Sequence, residues 1–205
     1  MEKHTYGYLF AVTAALLYAF VTILGKILIT GGMQPLQLTF YQYLFTVIIL
    51  GAWFVLKNPG SLCIEKKQIG TCFLLGILGG VGTNLLYYSA LQYLEAGIAA
   101  MLLFIHPVYI TIFFAVTRIK LMKPYNYLSV FLSIFGVVIV LNIFTGTLKI
   151  SATGLLIGIL SGVCYAFYNI FADLKVKEIE PNVINFYACT AALLFSALLL
   201  TFSEI

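Results

Sequence analysis

The stretch GLLIGILSGVCYAF, Gly154–Phe167, reads as a second telling of GYLFAVTAALLYAF, Gly7–Phe20. The two share Gly7/Gly154, Leu9/Leu156, Tyr18/Tyr165, Ala19/Ala166 and Phe20/Phe167. In so apolar a chain that match is weak alone, but it continues. After a one-residue slip, PLQLTFY from Pro35 aligns with PNVINFY from Pro181, sharing Pro35/Pro181, Phe40/Phe186 and Tyr41/Tyr187. Two consecutive segments therefore correspond in order and spacing.

Composition says what those segments are. Of the 205 residues, 62% are apolar and only 9% charged, with a mean hydropathy of +1.07. A soluble domain is about half apolar and about a quarter charged. The apolar residues fall in long runs, each near or above the roughly 20 residues that cross a bilayer as a helix, and not in the short alternating strands of a barrel. Helices are expected because backbone N–H and C=O groups in lipid must be satisfied within their own segment. The fold class read from the sequence is an all-α polytopic membrane protein with seven transmembrane helices. The spans are Gly7–Ile29, Leu36–Leu56, Ile69–Tyr93, Ala96–Val116, Tyr125–Phe144, Gly154–Ala172 and Val183–Phe202.

Five spans separate the start of one copy from the start of the next, and five is odd. The second copy must run inverted relative to the first, the inverted-topology repeat of many secondary transporters. The expected division is a complete five-helix repeat over 1–148 and the first two helices of an inverted second repeat over 149–205. Basic residues give the orientation. With the N-terminus in the cytoplasm, Lys3, then Lys57, Lys66 and Lys67, then Arg118, Lys120 and Lys123, then Lys175 and Lys177 all lie inside. Only Lys26 and Lys149 of the 11 Lys and Arg fall outside, a strong positive-inside bias. The expected location is the cytoplasmic membrane, multi-pass. The net charge of +4 follows from this topology, so it carries no nucleic-acid signal. The first span is too long for the roughly 7 to 15-residue core of a signal peptide and leads to no small-x-small cleavage site, so it is read as a retained helix.

The run YYSALQYLEAGIAAMLLFIHPVYITIF, Tyr87–Phe113, resembles the third-to-fourth helix segment of EamA-type transporters of the drug/metabolite transporter superfamily. The resemblance rests on Ala90, Leu91 and Tyr93, on Ala96 and Ala99 at the tight turn, on Pro107 in mid-helix, and on Gly136-Val137-Val138 closing span five. It implies ten helices in two inverted five-helix repeats, a central cavity, and export or exchange of amino acids, nucleotide-related metabolites, sugars or amphiphilic compounds. Two departures stand out. The family often carries a Glu just after the fourth helix, where this chain has Thr117-Arg118. The chain is also expected to stop two helices into its second repeat, so a monomer of this length is not expected to alternate access as the full-length family does. The function expected is a transporter of a small organic metabolite or amphiphilic compound by alternating access, or part of one. The alternatives are a passive small-molecule channel and a non-transporting subunit that completes its bundle by oligomerisation.

Polar residues inside spans are costly in lipid and tend to face the bundle interior. Asn84, Tyr88 and Gln92 recur every four residues and share one helical face, either lining a cavity or forming an interhelical hydrogen-bond seam. Pro107 removes a backbone donor and frees a carbonyl near Leu103, which kinks the helix or faces a ligand. His106 beside it either couples transport to protons or stays neutral, bonded to its neighbours. Tyr109 follows on the same span. On span six Tyr165, Asn169 and Asp173 form another face; Tyr18 with Thr22, and Gln37 with Tyr41, are lesser candidates. Lys26 and Asp173 occupy corresponding places in the two repeats, as coupling-ion sites or as interfacial charges reaching water. Gly76 with Gly80, and Gly154, Gly158 and Gly162, are spaced for close helix contact, within the chain or with a second copy.

Other classes find little support. The sequence has two His, and His4 lies in the tail, so it offers no Ser-His-Asp or His-rich metal set for an intramembrane hydrolase. Span seven has no Lys for a retinal Schiff base. Cys63, Cys72, Cys164 and Cys189 have no paired spacing and are read as free thiols. No enzyme activity, cofactor or metal is expected. The expected partners are a small-molecule substrate, the lipid bilayer, and either a second copy or further helices.

Overall fold

A computed structural model describes residues 2–57, 62, 64–119, 123–140, 151–176 and 179–203. Cys63, Lys120, Lys149, Lys177, the end of the expected fifth span and the expected 148/149 boundary lie outside the described residues. The described residues are almost wholly helical: α1 (Glu2–Thr30), α2 (Pro35–Lys57), α3 (Lys66–Leu74), a π-helical segment (Leu75–Val81), α4 (Gly82–Tyr93), α5 (Ala96–Phe104), α6 (His106–Thr117), α7 (Pro124–Val140), α8 (Ala152–Lys175) and α9 (Pro181–Ser203).

Six stretches are long and apolar enough to cross a bilayer: Tyr6–Thr30, Pro35–Lys57, Lys66–Tyr93, Ala96–Thr117, Ala152–Lys175 and Pro181–Phe202. The seventh expected crossing appears as the shorter apolar helix Pro124–Ile139. The helix ends follow local chemistry. At the end of α1, Met33 N–H reaches the Leu28 carbonyl and Gly32 N–H that of Ile29, while Gly32 sits at φ +97°. This is the glycine-terminated close of a helix, and a side chain at Gly32 would be strained. Pro35 and Pro181 then open α2 and α9, at the first-turn position where a missing N–H costs nothing. Ser151 caps α8, its hydroxyl accepting from Gly154 N–H at 3.3 Å.

Two of the long spans are interrupted in mid-membrane. Between α3 and α4 the winding loosens to π over Leu75–Val81, and Gly82 N–H reaches back to the Ile77 carbonyl. Between α5 and α6 the helix breaks at Ile105, and Pro107 lies in the first turn of α6. The break falls two residues before Pro107, the residue at which the sequence suggests a kink.

Small residues set the packing. A Cβ on Gly76 would collide with the Ala188 carbonyl oxygen of α9, and one on Gly79 would lie 2.5 Å from Tyr168 of α8. The Gly154, Gly158 and Gly162 face of α8 meets Tyr93, Leu94 and Leu102. These faces are used within the chain, where close backbone approach supplies the dispersion contact that lipid tails do not otherwise favour. One apolar core, with Tyr87, Leu91 and Leu102 at its centre, joins α1, α4 and α5, and a second, with Phe54, Cys72 and Val183, joins α2, α3 and α9. By contrast α1 leaves Tyr8, Phe10, Leu16, Leu17 and Phe20 largely exposed.

Candidate functional site

The interrupted third span and helices α2, α8 and α9 line a half-open chamber of about 280 Å³, the site of several polar side chains. The π segment forms one wall through Gly76, Gly79 and Gly80. Gln42, Tyr43 and Thr46 face it from α2, Thr83 and Asn84 from α4, Tyr165 and Tyr168 from α8, and Asn185 and Cys189 from α9. No charged side chain is among these lining residues.

A hydrogen-bond network holds the wall in register. Asn84 Nδ2 donates to Tyr43 Oη at 2.8 Å and to Gln42 Oε1 at 3.3 Å. The Tyr88 hydroxyl donates to the same Gln42 Oε1 at 2.6 Å, and the Tyr87 hydroxyl to Thr22 Oγ1 at 2.9 Å. Gln42 Oε1 thus accepts from both Asn84 and Tyr88. Thr83 is distinctive. Most intramembrane Thr here bond back one turn, as Thr46 does to the Gln42 carbonyl and Thr111 to that of Pro107. The Thr83 hydroxyl, two residues past the π segment, is buried and has no hydrogen-bond partner among the described residues.

Of the residues proposed from sequence, Asn84 and Tyr165 line the chamber, and Tyr88 braces Gln42 from behind. Gln92 does not join them. It is exposed near the end of α4, where the stripe begun at Asn84 has run out of the chamber. His106 also stands back: its Nδ1 lies 3.1 Å from the Leu103 carbonyl, the one freed by Pro107, and must donate to it. Its ring meets the Tyr165 ring edge-on at 4.5 Å, one side chain removed from the chamber. Tyr109 lines a separate apolar cavity between α6 and α8. Asn169 spends its amide N–H on the Tyr165 carbonyl at 2.8 Å. Tyr18 packs on Phe104, with ring centroids 5.3 Å apart, and its carbonyl accepts from Thr22. Gln37 turns to the Gln34 N–H at the start of α2, and Tyr41 is exposed.

Lys26 turns to the end of α4. Its Nζ donates to the carbonyls of Leu91 at 2.5 Å and Leu94 at 2.8 Å, closing the C-terminal end of α4 where unpaired carbonyls and the helix dipole favour a cation. Asp173, its counterpart, is half-buried near the end of α8. Sequence reasoning missed Gln42, Tyr43, Thr46, Thr83, Asn185 and Cys189. Gln42 with Thr46, and Asn185 with Cys189, are spaced by four, and that pattern was available in the sequence.

The fold and this chamber define a class: a polytopic α-helical membrane protein with uncharged, hydrogen-bonding side chains in its interior. Residues 5–142 match the EamA-like transporter family, and the chain belongs to that family. It is 26% identical over 184 residues to the threonine/homoserine exporter RhtA of Escherichia coli, covering 88% of this chain and 59% of that protein. It is 29% identical over 187 residues to an uncharacterized transporter of Clostridium kluyveri, covering 87% of this chain and 60% of the relative. The chain thus spans about three-fifths of the length of these curated relatives. A solved crystal structure aligns with 91% of this chain and 66% of its own chain at a TM-score of 0.62 and 21% identity, a likeness of fold.

Proposed function

We propose that the chain forms the solute-handling part of an exporter or exchanger of small organic metabolites, working by alternating access in the cell membrane with its N-terminus in the cytoplasm. The observation that carries this is the uncharged polar chamber held between the third span and α8–α9. Hydrogen-bonding side chains at membrane depth are costly unless they serve one another or a solute. On the inverted-repeat reading, with residues 1–148 in one repeat and 149–205 in the other, the chamber would draw its walls from both. The matching prolines that open α2 and α9 support that reading.

An uncharged chamber favours solutes that are neutral overall, and the relative named as a threonine/homoserine exporter makes hydroxylated amino acids the first substrates to try. The test is to express the chain and its Asn84→Leu variant in amino-acid-loaded bacterial cells and follow extracellular threonine and homoserine. Accumulation outside above the internal concentration, lost in Asn84→Leu, supports an exporter. Flux only down the gradient makes it a channel, and no flux with any neutral amino acid counts against the reading.

A further inference from the structure

One hydroxyl in the chamber wall has no use within the fold. Thr83, the second residue of α4, lines the chamber and is only 4% exposed. Among the described residues its oxygen is the one buried side-chain polar atom without a hydrogen-bond partner. The other buried threonines and serines described are all satisfied. Thr22 donates to the Tyr18 carbonyl at 3.1 Å, Thr39 to that of Pro35 at 2.8 Å, Ser161 to that of Gly158 at 2.7 Å and Ser196 to that of Leu193 at 3.0 Å. A buried hydroxyl left unpaired carries the full cost of its lost hydration, so an exception of this kind calls for a reason.

We infer that Thr83 is the specificity-determining residue by which the chamber tells a solute hydroxyl from a methyl group in the same place. The inference rests on the chamber being the solute site. On binding, the Thr83 side chain turns about its Cα–Cβ bond and swings its oxygen toward the solute. Threonine in helices divides between two rotamers, and no hydrogen bond holds this one where it is. The oxygen can both donate and accept, which matches a hydroxyl, and no charged side chain lines the chamber to favour an ion instead. The gain is net. The Thr46 hydroxyl faces the same chamber but must first give up the Gln42 carbonyl, 2.7 Å away, whereas Thr83 gives up nothing. Rejection of the methyl isostere follows from the same cost, because with that isostere bound the Thr83 hydroxyl stays dry and unpaired. A pocket with apolar walls, such as the one that Leu75, Leu78, Cys164 and Phe171 form on the other side of Tyr168, separates such isosteres only weakly.

Binding, and not flux, is the test. The full chain in phospholipid nanodiscs is titrated in turn with radiolabelled L-threonine, L-valine and L-2-aminobutyrate, and binding is read by scintillation proximity. Valine carries a methyl in place of the threonine hydroxyl, and 2-aminobutyrate carries hydrogen there. The native chain should bind threonine roughly tenfold more tightly than either analogue. Thr83→Val should weaken threonine binding by about the same factor and leave valine binding unweakened, with an unfolding temperature no lower than that of the native chain. Thr83→Ser, which keeps the hydroxyl, should retain the preference. So should Thr111→Val, which removes a hydroxyl bonded to the Pro107 carbonyl away from the chamber. A threonine preference that survives Thr83→Val would overturn the inference. So would a loss at Thr83→Val shared equally by threonine and valine, because Thr83 would then only shape the chamber. Equal binding of all three amino acids by the native chain removes this inference alone and leaves the transporter reading in place. Binding of none of them removes the chamber as their site, and this inference with it.

Discussion

The third and fourth spans are both interrupted in mid-membrane, and they are interrupted by different means. In the fourth, a single proline does it. Pro107 cannot donate to Leu103, the break is confined to Ile105, His106 takes up the freed carbonyl, and Thr111 already bonds to the Pro107 carbonyl in regular α geometry. In the third there is no proline. Seven residues, Leu75–Val81, are wound as π-helix where Gly76 and Gly79 lie close against Ala188 and Tyr168, and Thr83 just beyond has no hydrogen-bond partner for its hydroxyl among the described residues. The proline interruption is confined to one residue, whereas the π winding extends over seven and borders the chamber. The polar chamber lies beside the second kind, as π segments often do at functional sites.

The sharpest way to break the comparison is at Gly76. Gly76→Leu places side-chain atoms on the Ala188 backbone, which cannot yield as a flexible side chain would. The expected cost exceeds the roughly 1–3 kcal/mol of ordinary overpacking, read as loss of the folded species in detergent by size-exclusion and thermal unfolding. Lys26→Met comes next. It keeps the aliphatic packing but leaves the Leu91 and Leu94 carbonyls without their donor, for an expected loss of about 2 kcal/mol in thermal unfolding, within the range for hydrogen bonds to charged groups. Pro107→Ala restores a backbone donor to the fourth span. Its expected effect is an unchanged or raised unfolding temperature with reduced flux, since His106 loses its carbonyl and shifts against Tyr165. The smallest effect is expected at Thr83. Thr83→Val removes a hydroxyl that has no partner, so stability should stay level or rise by up to about 1 kcal/mol, while Thr111→Val should cost about that much. A matching loss at both positions would mean that the third span is α-wound at Gly79.

Much of this fold was legible in the sequence, because helix punctuation is chemical. Pro35 and Pro181 open their helices, the break falls where Pro107 puts it, and the four-residue glycine spacings mark the close contacts. The rotation of each helix was far less legible. In a chain whose spans are apolar on every side, a residue facing lipid and one facing the core look alike, so a face one position out turns by about 100°. That is the error between the proposed Gln37 and Tyr41 and the observed Gln42, Tyr43 and Thr46. Gln92 fails for a different reason: four-residue spacing continues its stripe past the point where the chamber ends. The π segment had only its glycines to announce it, and they owe their effect to α8 and α9, far along the chain. Lys26 was a charge in search of water until the fold brought the end of α4 within its reach.

The central claim is that one polar chamber, and not the apolar cores around it, is open to solute. Three native cysteines sample the three environments: Cys189 lines the chamber, Cys164 the apolar pocket, and Cys72 is fully buried in the core beside Phe54. The most direct measurement is the rate at which a small, uncharged, water-soluble methanethiosulfonate modifies each of them in liposomes, with the other three cysteines replaced by serine. The account predicts that Cys189 reacts far faster than Cys164 and Cys72, and that its modification stops flux. A Cys189 as inert as Cys72 would contradict it.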